Sequence, residues 1–184
     1  TIRWDGQPMN AVLDLKATYK TMANPAVLVE SASFNRKVDT NVTILLNGNL
    51  SNPQPDFNID FPTVSSVLKS EIDYKLQDKD TRQTQAFALM ATGTFVTAES
   101  TGNAAYGSLI EGASSIINGL FADDDSNLQL GLDYSQGNRL TDISDRVGVT
   151  MNTRINDRIS INGKVGVPVG GVTESVIVGN LEVL

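Results

Sequence analysis

Apolar residues occur at every second position in several stretches of this sequence, and this alternation is what most constrains its fold. Between Met9 and Lys20 every odd-numbered position is apolar or aromatic and falls on one face of an extended chain, and the charged residues and Thr18 fall on the other. Thr40–Leu50 and Asp56–Phe61 repeat the pattern. Because successive side chains of a strand point to opposite faces, each stretch is predicted to be a strand with one buried and one solvated face.

The segment Asn52-Pro53-Gln54-Pro55 separates the second stretch from the third. Neither proline has an N–H group to donate to a neighbouring strand. The segment is therefore predicted to form a turn or to lie at the edge of a sheet.

The middle of the sequence changes to a helical period. Thr63 is a candidate N-cap, and the apolar residues that follow it up to Ile72 have the spacing of one helix face. A second helix is predicted over Thr81–Thr92, with Gly93 ending it. A third is predicted from about Ala104 to Phe121, where a wide apolar stripe opposes serine, glutamate and asparagine.

Alternation returns from Asn127 to the end of the chain, in four stretches separated by glycine- and asparagine-rich turns. Short turns between such stretches predict an antiparallel meander whose last strand is Glu174–Leu184. The chain is therefore expected to be mainly β and antiparallel, with two or three helices in the middle. We expect a single domain made of strands over 1–62, a helical segment over 63–122 and the meander over 127–184.

A sheet with one apolar face needs a cover, because soluble monomers leave apolar patches of only a few hundred Å² bare. The chain's own helices can supply part of the cover, and a fold of the sheet upon itself, a partner strand or the acyl chains of a lipid held in an apolar groove could supply the rest. Alternation by itself does not separate a sheet sealed by its helices from a groove that holds lipid. The residues predicted to line the groove are Leu13, Leu15, Ile44, Leu46, Phe57, Ile59, Phe61, Leu130 and Leu132.

Composition excludes several classes of function. The 184 residues include no His and no Cys, which removes the commonest general base and the thiolate and imidazole metal ligands. A formal net charge of −7 argues against nucleic-acid binding. Asp123–Asn127 imitates the start of an EF-hand loop, but Leu128 stands where the loop glycine belongs. We predict neither catalysis nor a metal or other cofactor.

No run of about 18 apolar residues is present, so no membrane-spanning helix is predicted. The sequence opens at Thr1 without a Met and goes straight into a strand pattern. It is therefore expected to be a piece of a longer protein.

The order of several short motifs resembles the C-terminal domain of TamB, the translocation and assembly module family of Gram-negative envelopes. The motifs, which together span most of the chain, are Ile2–Pro8 leading into Ala11–Leu15, Leu50–Pro53 followed by Phe57–Pro62, Gln83–Phe95, Gly131–Tyr134 and Asn156–Gly163.

The resemblance implies a non-catalytic periplasmic segment of a protein that is anchored in the inner membrane and reaches the outer membrane. It implies an elongated curved sheet, the β-taco, whose apolar groove shields phospholipid acyl chains for transport. It also implies a TamA-like outer-membrane barrel as the partner in outer-membrane protein assembly. The alternative is an interaction module that carries no lipid and pairs an exposed β edge with that barrel. The edge residues predicted for this pairing are Val176, Ile177, Val178 and Leu181.

Overall fold

The computed structural model describes residues 2–3, 12–29, 34–49, 52–97, 103–121, 128–135, 146–156, 159–168 and 176–183. In chain order these residues form β1 (Ile2–Arg3), β2 (Val12–Ala23), α1 (Ala26–Val29), β3 (Val38–Asn49), β4 (Asn52–Asp60), α2 (Ser66–Lys75), α3 (Lys79–Thr92), α4 (Asn103–Phe121), β5 (Leu128–Ser135), β6 (Arg146–Asn156), β7 (Ile159–Pro168) and β8 (Val176–Val183). Two compact units result: unit 1 comprises Thr1–Ala17, Leu45–Pro55 and Ser114–Leu184, and unit 2 comprises Thr18–Ile44 and Asp56–Ala113.

The first sheet has the strand order β1-β2-β3-β4. β1 pairs antiparallel with β2, with Ile2 opposite Leu13 and Arg3 opposite Val12. The predicted alternation is confirmed most clearly on β3, where Val38, Thr40, Val42, Ile44 and Leu46 are buried and the residues between them are at least partly exposed.

β4 is the last strand in that order, so it lies at an edge of the sheet. Both Pro53 and Pro55 belong to it. The sequence predicted either a turn or a sheet edge for this segment, and the edge is confirmed. An edge strand tolerates prolines because one of its sides needs no N–H donors for pairing.

α2 begins two residues later than the sequence predicted. Ser65, rather than Thr63, is the N-cap: its Oγ accepts a hydrogen bond from the N–H of Leu68 at 3.5 Å. Leu68 and Ile72 are buried in this helix, whereas Val67 is 77% exposed. Both hydroxyl residues are good caps, and the burial of Leu68 and Ile72 selects the register.

α3 and α4 lie within two residues of their predicted positions. Asp78 caps α3, because its carboxylate accepts from the N–H of Thr81 at 2.8 Å. This hydrogen bond, which stabilises the charged form, lowers the pKa of Asp78 from its ordinary value. Gly93 ends the helix with a φ of 70°, a left-handed conformation in which a residue with a Cβ is strained.

α1 was not predicted. It is a single turn after Pro25, and the side chain of Asn24 accepts from the N–H of Ala26 at 3.1 Å. Leu28 and Val29 are buried by it. Four residues are too few for a helical period to appear in the sequence.

The second sheet is an antiparallel meander in the order β5-β6-β7-β8, as predicted. One register shift, between Arg154 and Asn156, interrupts the pairing of β6 with β7. The predicted turn at Gln136–Asn138 lies outside the described residues, as do Met9, Ala11 and Leu50. Of the glycine-rich loop predicted over Pro168–Thr173, Pro168 is the last residue of β7 and residues 169–173 lie outside the described residues.

The prediction of antiparallel sheets with helices in the middle of the chain is confirmed. The finer expectation of a mainly β chain overestimated the strands. α2, α3 and α4 span 10, 14 and 19 residues, so helices and antiparallel strands share the described chain.

Within unit 2, α3 and α4 approach closely at Gly112. A Cβ built on Gly112 would lie 2.7 Å from the Cβ of Ala91. Overpacking of this kind costs about 1–3 kcal/mol, whereas alanine gains up to about 1 kcal/mol over glycine in helix propensity. We therefore expect Gly112→Ala to lower the free energy of unfolding by about 1 kcal/mol, measured by urea denaturation.

Gly119 of the same helix provides the matched control, since a Cβ there would meet nothing within 4 Å. Gly119→Ala should raise the free energy of unfolding by about 0.5–1 kcal/mol. If both substitutions stabilise the protein equally, the close approach of the helices at Gly112 is contradicted.

Candidate functional site

The predicted groove residues of unit 2 lie in its core. Ile44, Phe57, Ile59 and Phe61 are each at most 4% exposed. The rings of Phe57 and Phe87 meet edge to face with centroids 5.0 Å apart. The apolar face of the first sheet is therefore filled at this point by a side chain from α3.

A second aromatic contact closes the end of the same face. The ring of Phe61 lies 6.0 Å from the ring of Phe95. Gln85 holds the segment that carries Phe95: its Nε2 donates to the carbonyl of Val96 at 2.7 Å, and its Oε1 accepts from the N–H of Val96 at 3.0 Å. Gln85 is itself buried, so its two hydrogen bonds satisfy an amide inside the core.

The predicted groove residues of unit 1 differ in their burial. Leu13, Leu46 and Leu130 are at most 3% exposed, whereas Leu15 and Leu132 are half-buried. The structure thus leaves part of these two side chains in contact with solvent. Whether lipid contacts any of the groove residues stays a prediction.

The predicted edge residues lie on β8, the last strand of the second sheet. Val176, Ile177, Val178 and Leu181 are opposite Gly166, Val165, Lys164 and Ile161 of β7. β8 is thus paired on one side over its whole length. The orientation of these four side chains lies outside the described part of the structure, and their role in partner binding stays a prediction.

Arg82, which the sequence analysis missed, contacts three backbone carbonyls and one carboxylate. Its Nε donates to the carbonyl of Phe57 at 2.6 Å, and its Nη1 donates to the carbonyls of Leu76 and Gln77 at 3.0 and 3.2 Å. Its Nη2 lies 3.4 Å from a carboxylate oxygen of Asp56. One guanidinium thereby joins the edge of β4 to the chain that follows α2.

A cavity of about 310 Å³ lies beside this arginine in unit 2, between β4 and α2. Its lining residues are Asn58, Ile59, Asp60, Lys69, Asp73, Leu76, Gln77 and Arg82. The Nζ of Lys69 donates to the carboxylate of Asp60, and this hydrogen bond raises the pKa of Lys69 above its usual value. Lys69 therefore stays a cation that is already paired, rather than a neutral amine available for nucleophilic chemistry.

The described residues hold no group of three or more acidic side chains placed to bind a metal ion. Asp123–Asn127, the segment that imitates a calcium loop, lies outside them. Of the carboxylates in unit 2, Asp56 and Asp60 are each paired with a basic side chain. These two ion pairs thus stabilise the fold and hold β4, an edge strand of the first sheet, in place.

None of the helices in the described residues has the length and apolarity needed to cross a membrane. No curated protein and no solved structure matches the chain significantly. The family model described as the TamB C-terminal domain matches residues 1–183, which is nearly the whole chain. The resemblance carried by the short sequence motifs is thereby confirmed, and the chain belongs to the TamB C-terminal domain family.

Proposed function

We propose that this chain is a non-catalytic segment of a cell-envelope protein that shields phospholipid acyl chains on its apolar strands, between the inner and outer membranes. A TamA-type barrel would be its partner in the assembly of outer-membrane proteins. The observation that carries the proposal is the partial exposure of two predicted groove residues, Leu15 and Leu132, on strands in which Leu13 and Leu130 are buried.

Family membership supports the coarser part of this function. The TamB family is generally a non-enzymatic transport and assembly component, and membership supports a role in outer-membrane assembly and an association with the envelope. Lipid transport, periplasmic location, the β-taco groove and the TamA-type partner are the finer parts that we propose.

The predicted groove residues differ in how far they are buried, and this difference indicates where an acyl chain would lie. Phe57 and Phe61 already contact Phe87 and Phe95, so lipid there would have to displace aromatic rings. Leu15 and Leu132 are only half-buried and would gain further burial from an acyl chain. Each methylene removed from water contributes about 0.8 kcal/mol. We therefore place lipid contact in unit 1, at these two leucines.

Photocrosslinking in cells tests this placement. A photoreactive residue at Leu15 or Leu132 of the full-length protein should yield lipid adducts, detected by mass spectrometry of the purified protein. Lys16 is the matched control, since it follows Leu15 on β2 but is exposed on the opposite face. Adducts that form only from Lys16 or from Asp60 would rule out an apolar lipid groove.

The second candidate is an interaction module that adds β8 to a strand of the barrel without carrying lipid. It is favoured by the position of β8, which pairs with β7 on one side and ends the strand order of its sheet. An edge strand presents free N–H and C=O groups that can recruit a further strand.

Paired proline substitutions test the edge. The N–H groups of a strand point alternately to its two sides, so one of Ile177→Pro and Val178→Pro removes a donor facing β7 and the other removes a donor facing outward. We expect one variant to lose stability, and the other to keep its circular dichroism spectrum and lose binding to the purified barrel. If the variant that stays folded binds as tightly as the unsubstituted protein, edge pairing at β8 is rejected.

A further inference from the structure

Two side chains form hydrogen bonds with the backbone of β4 at Phe57. Its N–H donates to the carboxylate of Asp56 at 2.9 Å, and its carbonyl accepts from the Nε of Arg82 at 2.6 Å. The same carboxylate oxygen of Asp56 lies 3.4 Å from the Nη2 of Arg82. The two side chains are therefore bonded to the strand and paired with each other. We call this pair the Asp56–Arg82 cap.

The cap lies on the outer edge of the sheet. In an antiparallel strand the N–H and C=O of one residue point to the same side. Both groups of Phe57 bond to side chains and β4 has a neighbour on one side only, so they point away from β3. A strand added at this edge would have to bond to the same two groups.

From this geometry we infer that the Asp56–Arg82 cap closes the β4 edge to strand addition, so that a second copy of this chain cannot pair with it edge to edge. Unprotected edges are where sheets associate, and proteins block them with charged side chains, prolines or a covering helix. Two of these devices, charged side chains and prolines, occur along β4. The inference goes beyond the proposed function because it concerns association of the chain with itself.

The rest of the β4 edge is protected on both sides of the cap. Pro53 and Pro55 precede Phe57 by four and two positions, so their nitrogens face the same edge as the N–H of Phe57, and they have no hydrogen to donate. Beyond Phe57, Ile59 and Asp60 lie against the cavity whose other wall is α2. Lys69 of α2 reaches the carboxylate of Asp60 across that cavity.

The second sheet shows the same device at β5. The N–H of Leu132 donates to the Oγ of Ser114 on α4 at 2.8 Å. β5 is an end strand in its sheet, so a helix side chain occupies a backbone donor on an edge strand here too. Within unit 1, a partner strand would therefore meet less competition at β8, at the other end of the same sheet.

The inference is tested by opening the β4 edge while keeping Arg82. Pro55→Thr restores a donor, and Asp56→Ala frees the N–H of Phe57; Asp56 is about half exposed, so its loss leaves the core intact. The double variant should self-associate at least about tenfold more tightly than the unsubstituted chain in sedimentation velocity. Adding Asn58→Cys, the only cysteine present, should allow a bismaleimide to cross-link two copies through β4.

The matched control is Pro62→Thr with Asp39→Ala, which removes one proline and one aspartate from exposed positions of unit 2 outside the cap and outside the cavity beside it. It should associate no more tightly than the unsubstituted chain. A folded Pro55→Thr/Asp56→Ala variant that behaves like this control, or that associates without cross-linking at position 58, overturns the inference.

Should the double variant fail to fold, Asp56→Ala alone provides the second measurement. Amide hydrogen exchange at Phe57 should be at least about tenfold faster than in the unsubstituted chain, because the carboxylate no longer accepts from its N–H. Unchanged exchange at Phe57 would show that the side chain does not occupy the edge, and the inference would be wrong.

Discussion

Replacing Phe87 with alanine is expected to lower the free energy of unfolding by about 3–5 kcal/mol, the usual range for truncating a fully buried aromatic ring. Phe87 is 0% exposed, and its ring contacts Phe57 on β4 and Tyr106 on α4, with centroid distances of 5.0 and 6.3 Å. Its removal leaves a cavity between a strand and two helices that cannot collapse without moving one of them. Urea denaturation followed by circular dichroism measures the loss.

Tyr74 serves as the control for Phe87. It is an aromatic residue on α2 with 68% exposure. Tyr74→Ala should change the free energy of unfolding by no more than about 0.5 kcal/mol. A Phe87→Ala variant as stable as Tyr74→Ala would mean that α3 does not pack on the first sheet as described. The same result would leave the sheet face free for lipid.

Gln85→Leu is expected to lower the free energy of unfolding by about 2–3 kcal/mol. Leucine has a similar volume and fills the site, but the N–H and C=O of Val96 lose both partners. A buried group left without a hydrogen bond costs about 1–3 kcal/mol, and Val96 is half-buried, so part of this cost is recovered through water. Urea denaturation measures the total loss in the free energy of unfolding. Amide hydrogen exchange at Val96 should also become faster in the variant.

Gln83, in the same helix, is the matched control for Gln85. It is half-buried, whereas Gln85 is 6% exposed. Gln83→Leu should leave the free energy of unfolding within about 0.5 kcal/mol of the unsubstituted protein. Equal effects of the two substitutions would contradict a specific role for the Gln85–Val96 hydrogen bonds.

The elements that the sequence predicted correctly are those with a local cause. β3 follows from alternation along consecutive residues, and the end of α3 follows from a glycine that adopts a positive φ. Such signals depend on neighbours in the chain, so they survive without knowledge of the tertiary structure. The start of α2 is the instructive error, because two hydroxyl residues could cap it and packing chose Ser65.

The polar contacts could not be foreseen because their partners are distant in sequence. Arg82 bonds to Phe57, 25 positions away, and an arginine in the first turns of a helix has no feature that indicates such a partner. Gln85 bonds to Val96, beyond the end of its own helix. A glutamine that is buried to satisfy a backbone segment looks the same in sequence as one that is solvated.

The sequence could not show what covers the predicted groove, because the covering residues are also distant in the chain. Alternation showed that Phe57 and Phe61 face inward, but an inward face has the same pattern whether a helix or an acyl chain covers it. Only the contacts with Phe87 and Phe95 show that aromatic side chains fill that part of the face. Leu15 and Leu132, which carry the lipid proposal, differ from the other groove residues by their exposure alone.

In both sheets the order of the strands in space is their order along the chain. Each strand therefore pairs with the strand that precedes it in the sequence, and no strand in these sheets has to pair with a strand from elsewhere in the chain. Folding rates fall as contacting residues become more distant in sequence. Each sheet can thus grow from its first strand to its last as the polypeptide emerges, and β8, the last to be added, finds β7 already in place.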